Sequence, residues 1–147
     1  MSLNYQTEVE INVPRNRVVE LFVNPDNLYK WMEGLIEFKH LSGTPNTVGA
    51  KSEFHFVMGK RDVRMQEEIL ELNFPQGFTS LYTMPGVDNR IVNTFVEHGS
   101  STIWGMDNQF IFQGFGMKMM SKLMPGMFKK QTMKNMQAFK DFAESAG

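Results

Sequence analysis

Polar and apolar side chains alternate from Leu3 to Val13, with Tyr5, Thr7, Val9, Ile11 and Val13 on one face and Asn4, Gln6, Glu8, Glu10 and Asn12 on the other. A period of two predicts a half-buried strand. Pro14, a residue suited to a helix start, precedes Val18, Val19, Leu21 and Phe22 at helical spacing, which predicts a short helix to about Val23. Asn24-Pro25-Asp26 repeats the start signal ahead of Leu28, Trp31 and Met32. A second short helix follows, ending near Gly34.

Leu35 to Leu41 reads as a second strand, and the glycine- and proline-containing stretch from Ser42 to Gly49 as a loop. From Lys51 the period of two returns and persists. Phe54, Phe56 and Met58 alternate with Glu53, His55 and Val57. The segments Val63 to Leu72, Phe78 to Met84, Arg90 to Glu97 and Thr102 to Phe112 follow, separated by short turn sequences. Connections this short join antiparallel neighbours, since a parallel crossover needs a dozen residues or more.

Beyond Gly114 and Gly116 the pattern is helical. Pro125-Gly126 interrupts it, leaving a short segment to Leu123 and a long helix from about Met127 to Ser145. Phe128, Thr132, Met136, Phe139 and Ala143 form one stripe of that helix, with Asn135 and Phe142 beside them, while Lys129, Lys130, Lys134 and Lys140 lie largely off it.

Strand, two short helices, six strands and a long helix make an α+β fold. A seven-stranded antiparallel sheet twists and curls, and the long C-terminal helix is the one element able to cover its concave face. A curved sheet and a straight helix leave a gap between them, the expected place for an apolar ligand.

Composition narrows the function classes. In 147 residues, 41% are hydrophobic and 21% charged, which argues against disorder and coiled coil, and no repeat or linker divides residues 1–147 into more than one domain. The absence of cysteine removes thiol nucleophiles and thiolate metal sites. A net charge of −1 gives no electrostatic reason to expect nucleic acid. No apolar run reaches the length of a membrane span and no signal peptide is visible, so the expectation is a cytoplasmic protein, monomeric or weakly dimeric. Eight of the 13 methionines fall in the last 42 residues, fitting either an adaptable cavity wall or gap-filling in an ordinary core. The tail from Gly114 carries six lysines against Asp141 and Glu144, while residues 1–113 carry nine basic and fourteen acidic side chains. Such a tail is either the wet face of a covering helix or a membrane- or partner-docking surface.

The succession Val13-Pro14-Arg15-Asn16-Arg17-Val18, Phe22, Asn24-Pro25, Leu28, Trp31, Gly34-Leu35, Gly49 and a long amphipathic terminal helix resembles the START-like helix-grip (SRPBCC) superfamily. Within it the chain is similar to the polyketide cyclase/dehydrase and lipid-transport group. The resemblance spans nearly the whole chain and implies a curved seven-stranded sheet around the C-terminal helix, two short helices between strands one and two, and a deep hydrophobic pocket. It carries no catalytic signature.

His40, His55 and His98 lack the spacing of a metal site, and Glu53 and His55 are expected on a solvated strand face. There is no G-x-S-x-G, and Gly114-Phe115-Gly116 is too short for a phosphate loop, so neither metal nor cofactor is expected. Among the acids, Glu67 and Glu71 share a face with Val63, Met65 and Ile69, Glu68 lies opposite, and Asp107 sits between Met106 and Asn108. All four are expected outward and solvated. Desolvated in a pocket, one of them would gain the raised pKa of a general base. Trp104, Met106, Asn108, Phe110 and Phe112 share one face of the last strand, and Ser80, Tyr82 and Met84 one face of the fifth. Turned inward, these faces place Tyr82 and Asn108 inside an apolar chamber, where each needs a partner, whether ligand, backbone or water.

The expectation is therefore a binding module for a small or medium hydrophobic ligand, walled by Phe54, Phe56, Tyr82, Trp104, Asn108, Met119, Phe128 and Thr132. The alternatives are a cyclase/dehydrase-type lyase or isomerase using Asp107 or Tyr82, and a protein docking through its basic tail. Pro125-Gly126 is a candidate hinge letting Met117 to Met124 gate the pocket mouth.

Overall fold

The computed structural model describes residues 2–122 and 125–146, the side chains at 119–122 and 125 excepted. Strand β1 (Ser2–Ile11) leads into helix α1 (Arg15–Val23), a single 3-10 turn (Pro25–Asn27) and the one-turn helix α2 (Leu28–Trp31). Six strands follow: β2 (Leu35–Ser42), β3 (Lys51–Met58), β4 (Arg61–Asn73), β5 (Gly77–Met84), β6 (Val87–His98) and β7 (Ser101–Phe112). Helices α3 (Phe115–Lys122) and α4 (Pro125–Ala146) close the chain. The seven strands form one antiparallel sheet in the order β1-β7-β6-β5-β4-β3-β2, so β2 to β7 are a meander and β1 returns to pair with the last strand.

Local chemistry accounts for the starts and stops. The Asn24 side chain accepts from the Asp26 N–H at 3.0 Å and Pro25 opens the 3-10 turn, as the capping signal predicts. Three strand junctions are tighter than the sequence reading has them, with Met58 facing Arg61, Met84 facing Val87, and His98 facing Ser101. Two-residue turns suffice, because Gly59, Gly86 and Gly99 adopt the positive φ such turns need. The flanking polar residues join the strands instead.

Two irregularities shape the sheet. A bulge in β4 between Ile69 and Glu71 shifts the face parity, so that Met65, Glu67 and Ile69 point to the concave side and Leu72 and Phe74 replace Glu71 there. Glu71 is left exposed on the outer face, which separates it from Glu67. On that outer face His55 is buried rather than solvated as the alternation had suggested. Glu37 and Arg64 flank it in register, and the Asp62 carboxylate meets its Nε2 at 2.7 Å.

Beneath the C-terminal half of α4 the gap is filled. Met136, Phe139 and Ala143 are fully buried, because α1 and α2 wedge into the gap. Phe22 of α1 is the hub of that wedge. Its ring centroid lies 5.3 Å from those of Trp104 and Phe139, 5.5 Å from Phe78 and Phe95, and 5.6 Å from Trp31. The space left over lies beneath the N-terminal half of α4 and beside α2.

Candidate functional site

The leftover space consists of two chambers. The central one, about 290 Å³, lies between the concave faces of β3 to β7 and the α4 side chains Phe128, Gln131, Thr132 and Asn135. The other, about 210 Å³, lies beside it under the β2–β3 loop, and opens past the exposed His40, Pro45 and Asn46. Phe22, Met32, Phe54, Phe78 and Tyr82 border both and form the partition.

The inward strand faces are the ones the period of two indicated. Phe54, Phe56, Tyr82, Trp104, Asn108, Phe128 and Thr132 all line the central chamber. The side chain of Met119 lies outside the described residues, as do the side chains at 120–122 and all of residues 123 and 124 in the expected gate from Met117 to Met124. Asp107 does not reach the chamber. It is exposed on the outer face of β7, where its Oδ2 is 3.4 Å from Gln6 Nε2. Side chains on a strand alternate, so an inward Asn108 forces an outward Asp107.

The acid that does face the interior is Glu67, which the sequence reading had placed outward. Its Oε2 accepts a hydrogen bond of 2.7 Å from the Tyr82 hydroxyl across the β4–β5 pair, where the two residues are direct register partners. Burial pushes the Glu67 carboxyl above the ordinary carboxylate range, and hydrogen bonding from Tyr82 and the neighbouring Ser80 opposes this. Among the described residues Ser80 Oγ, fully buried, makes no hydrogen bond of ordinary geometry, so its influence on Glu67 is that of a near neighbour. Burial, followed by the Glu67 charge and hydrogen bond, drives the Tyr82 phenol well above its usual range. Tyr82 is therefore a neutral donor. The signal in the sequence that points to Glu67 is its shared face with Met65 and Ile69.

The central chamber holds a second group of polar atoms. Trp104 Nε1 donates to Asn93 Oδ1 at 3.0 Å, and Asn89 Nδ2 donates to Asn108 Oδ1 at 3.2 Å. Tyr5 OH lies 2.7 Å from Thr132 Oγ1 and 3.3 Å from the Phe128 carbonyl, and burial raises the Tyr5 pKa. Two donors in the wall, Trp31 Nε1 and Asn108 Nδ2, are buried without a hydrogen-bond partner among the described residues. The strand alternation assigns Asn108 to the chamber, whereas Trp31 stands in the sequence only as a marker of the second helix, and its indole is turned inward by the one-turn helix α2.

The histidines are dispersed. His40 Nε2 meets the Gly43 carbonyl, His55 meets Asp62, and His98 Nδ1 meets Glu10 on the surface. On α4, Lys134 pairs with Glu33 and Lys140 with Glu144, tying part of the basic tail to its own protein. Among the described residues no helix is long and apolar enough to cross a membrane.

No protein-family model and no curated protein matches the chain in sequence. Solved structures match its backbone closely. Ara h 8.0201 superposes with a TM-score of 0.79 at 10% identity, over 99% of each chain. The aromatase/cyclase Zhui from a Streptomyces species gives 0.76 at 12% identity, over 98% of this chain and 94% of its own. Norcoclaurine synthase from Thalictrum flavum, in complex with dopamine and hydroxybenzaldehyde, gives 0.71 at 11% identity, over 100% of this chain and 89% of its own. At such identities what is shared is the path of the backbone: this chain has the START-like helix-grip fold.

Proposed function

We propose that this protein encloses a small apolar molecule bearing a hydrogen-bond acceptor in the central chamber. One observation carries the reading. An apolar hollow beneath α4 has in its wall a fully buried amide, that of Asn108, with an unused N–H. A buried donor without a partner costs about 1–3 kcal/mol, which a ligand carbonyl or ether oxygen would recover. Burial of the ligand's apolar surface adds about 25 cal/mol per Å². A volume of about 290 Å³ is near the lower end for ligand pockets, which favours a compact guest over a two-chain lipid.

Both tryptophans of the chain, Trp31 and Trp104, line this chamber, so intrinsic fluorescence reports its occupation directly. Native mass spectrometry of freshly purified protein is expected to show a bound small molecule, or an apolar ketone titrated in is expected to quench the tryptophans. Asn135→Phe, which fills the chamber from α4, is expected to abolish the quench while leaving the circular dichroism intact. Equal quenching in wild type and Asn135→Phe would sink the reading.

A second reading, cyclase/dehydrase-type catalysis, is favoured by the Tyr82–Glu67 pair on the partition. A carboxylate whose proton affinity is raised by burial is suited to taking a proton from carbon next to a carbonyl. The shared fold with an aromatase/cyclase supports it. Turnover of a polyketide-like substrate panel, lost in Glu67→Gln while chamber binding persists, is the expected result.

A further inference from the structure

The side chamber differs from the central one in its polar equipment. Among the described residues that line it stands one carboxylate, Glu67, and no lysine or arginine. Glu67 is half-buried and lines the chamber. The groups that face it are Tyr82 and Ser80 from β5 and Ser52, its register partner on β3. All three are neutral. The remaining titratable group of the lining, His40 on β2, stands at the mouth with Nε2 2.6 Å from the Gly43 carbonyl. The rest of the wall is largely apolar, with the rings of Phe22, Phe38, Phe54, Phe74 and Phe78 prominent.

A carboxylate withdrawn from water needs a proton or an opposite charge, and hydroxyl donors alone do not match its charge. Aromatic faces add a preference for cations. The Tyr82 hydroxyl occupies Oε2 of Glu67, so a guanidinium fork, which uses both carboxylate oxygens, has lost half of its docking geometry. A compact ammonium needs one oxygen and a ring face, and both are present.

We propose that the side chamber is a binding site for a primary ammonium group carried on a compact apolar body, with Glu67 as its counter-ion. The site adjoins the central chamber across the partition, and the proposal stands or falls independently of ligand binding in that chamber.

The test compares benzylammonium with benzyl alcohol, a neutral molecule of nearly the same shape, by isothermal titration calorimetry. In mildly alkaline buffer benzylammonium is expected to bind about tenfold or more tightly than the alcohol, the size of a charge-assisted hydrogen bond. The preference is expected to fade as the pH falls through the raised pKa of Glu67 and to vanish in Glu67→Gln, with the tryptophan quench by the apolar ketone unchanged. Equal affinity for amine and alcohol in the wild-type protein would overturn the proposal without recourse to any variant. So would a preference that survives in folded Glu67→Gln.

Discussion

The hydroxyl of Tyr5, on the first strand, lies 2.7 Å from Thr132 Oγ1 on the last helix, and 3.3 Å from the carbonyl of Phe128 one turn earlier. This contact fixes the roof of the central chamber to the edge strand β1. It joins residues 127 positions apart in the chain, so it forms only when both ends of the fold are in place.

Tyr5→Phe and Thr132→Val each remove one partner while keeping the shape. Each is expected to lower stability by about 1 kcal/mol, read as a shift in urea midpoint with the slope unchanged. The double variant is expected to cost less than the two together, because they share one bond. Strict additivity would mean that the two hydroxyls do not interact in solution.

Phe22 of α1 touches five aromatic rings and fills the gap under the C-terminal half of α4. Phe22→Ala is expected to destabilise by about 3–5 kcal/mol, the range for losing a core aromatic side chain. Chemical denaturation followed by near-ultraviolet circular dichroism measures both the loss and the loosening of the tryptophans around the gap.

The pH dependence of stability follows from the sign of the Glu67 shift. Its pKa is higher folded than unfolded, so the native state holds this proton more tightly. That contribution to stability is present below the unfolded pKa and is lost as the pH rises through the folded pKa. Glu67→Gln keeps an acceptor for Tyr82 and removes the charge. It is expected to stabilise the protein by about 1 kcal/mol at neutral pH and to flatten this part of the profile. Thermal melts of the two proteins at matched pH values decide it, and a less stable Glu67→Gln at neutral pH would refute the assignment of Glu67 as a desolvated, charge-unmatched acid.

Gly77 opens β5 where a Cβ would collide with the backbone oxygen of Asn93 on β6. Backbone cannot yield as a flexible side chain can, so Gly77→Ala is expected to cost about 2 kcal/mol or more. Gly59→Ala meets open space and is strained only by its positive φ of 61°, for a cost of about 1 kcal/mol. A melting comparison that reversed this order would mean that the β5–β6 approach is looser than described.

Much of this architecture was legible along the chain. The period of two identified the strands, Asn24-Pro25 marked the second helical start, and the stripe Phe128, Thr132, Met136, Phe139 and Ala143 named the face of α4 that looks inward. It also grouped Tyr82 with Ser80, and Trp104 with Asn108, correctly on inward faces. Alternation and spacing are local quantities, and a sequence carries them in full. Which acid faces the interior was settled by the tertiary structure. The bulge beside Leu70 and the pairing of Glu67 with Tyr82 depend on register between strands, as does the burial of His55 beneath Glu37, Arg64 and Asp62. The division of the gap into a packed half and two chambers depends on how far Phe22 and Trp31 reach toward Phe139 and Trp104. That reach is a matter of volumes meeting from four separate elements, and periodicity along one chain records the faces that meet but not the space that remains between them.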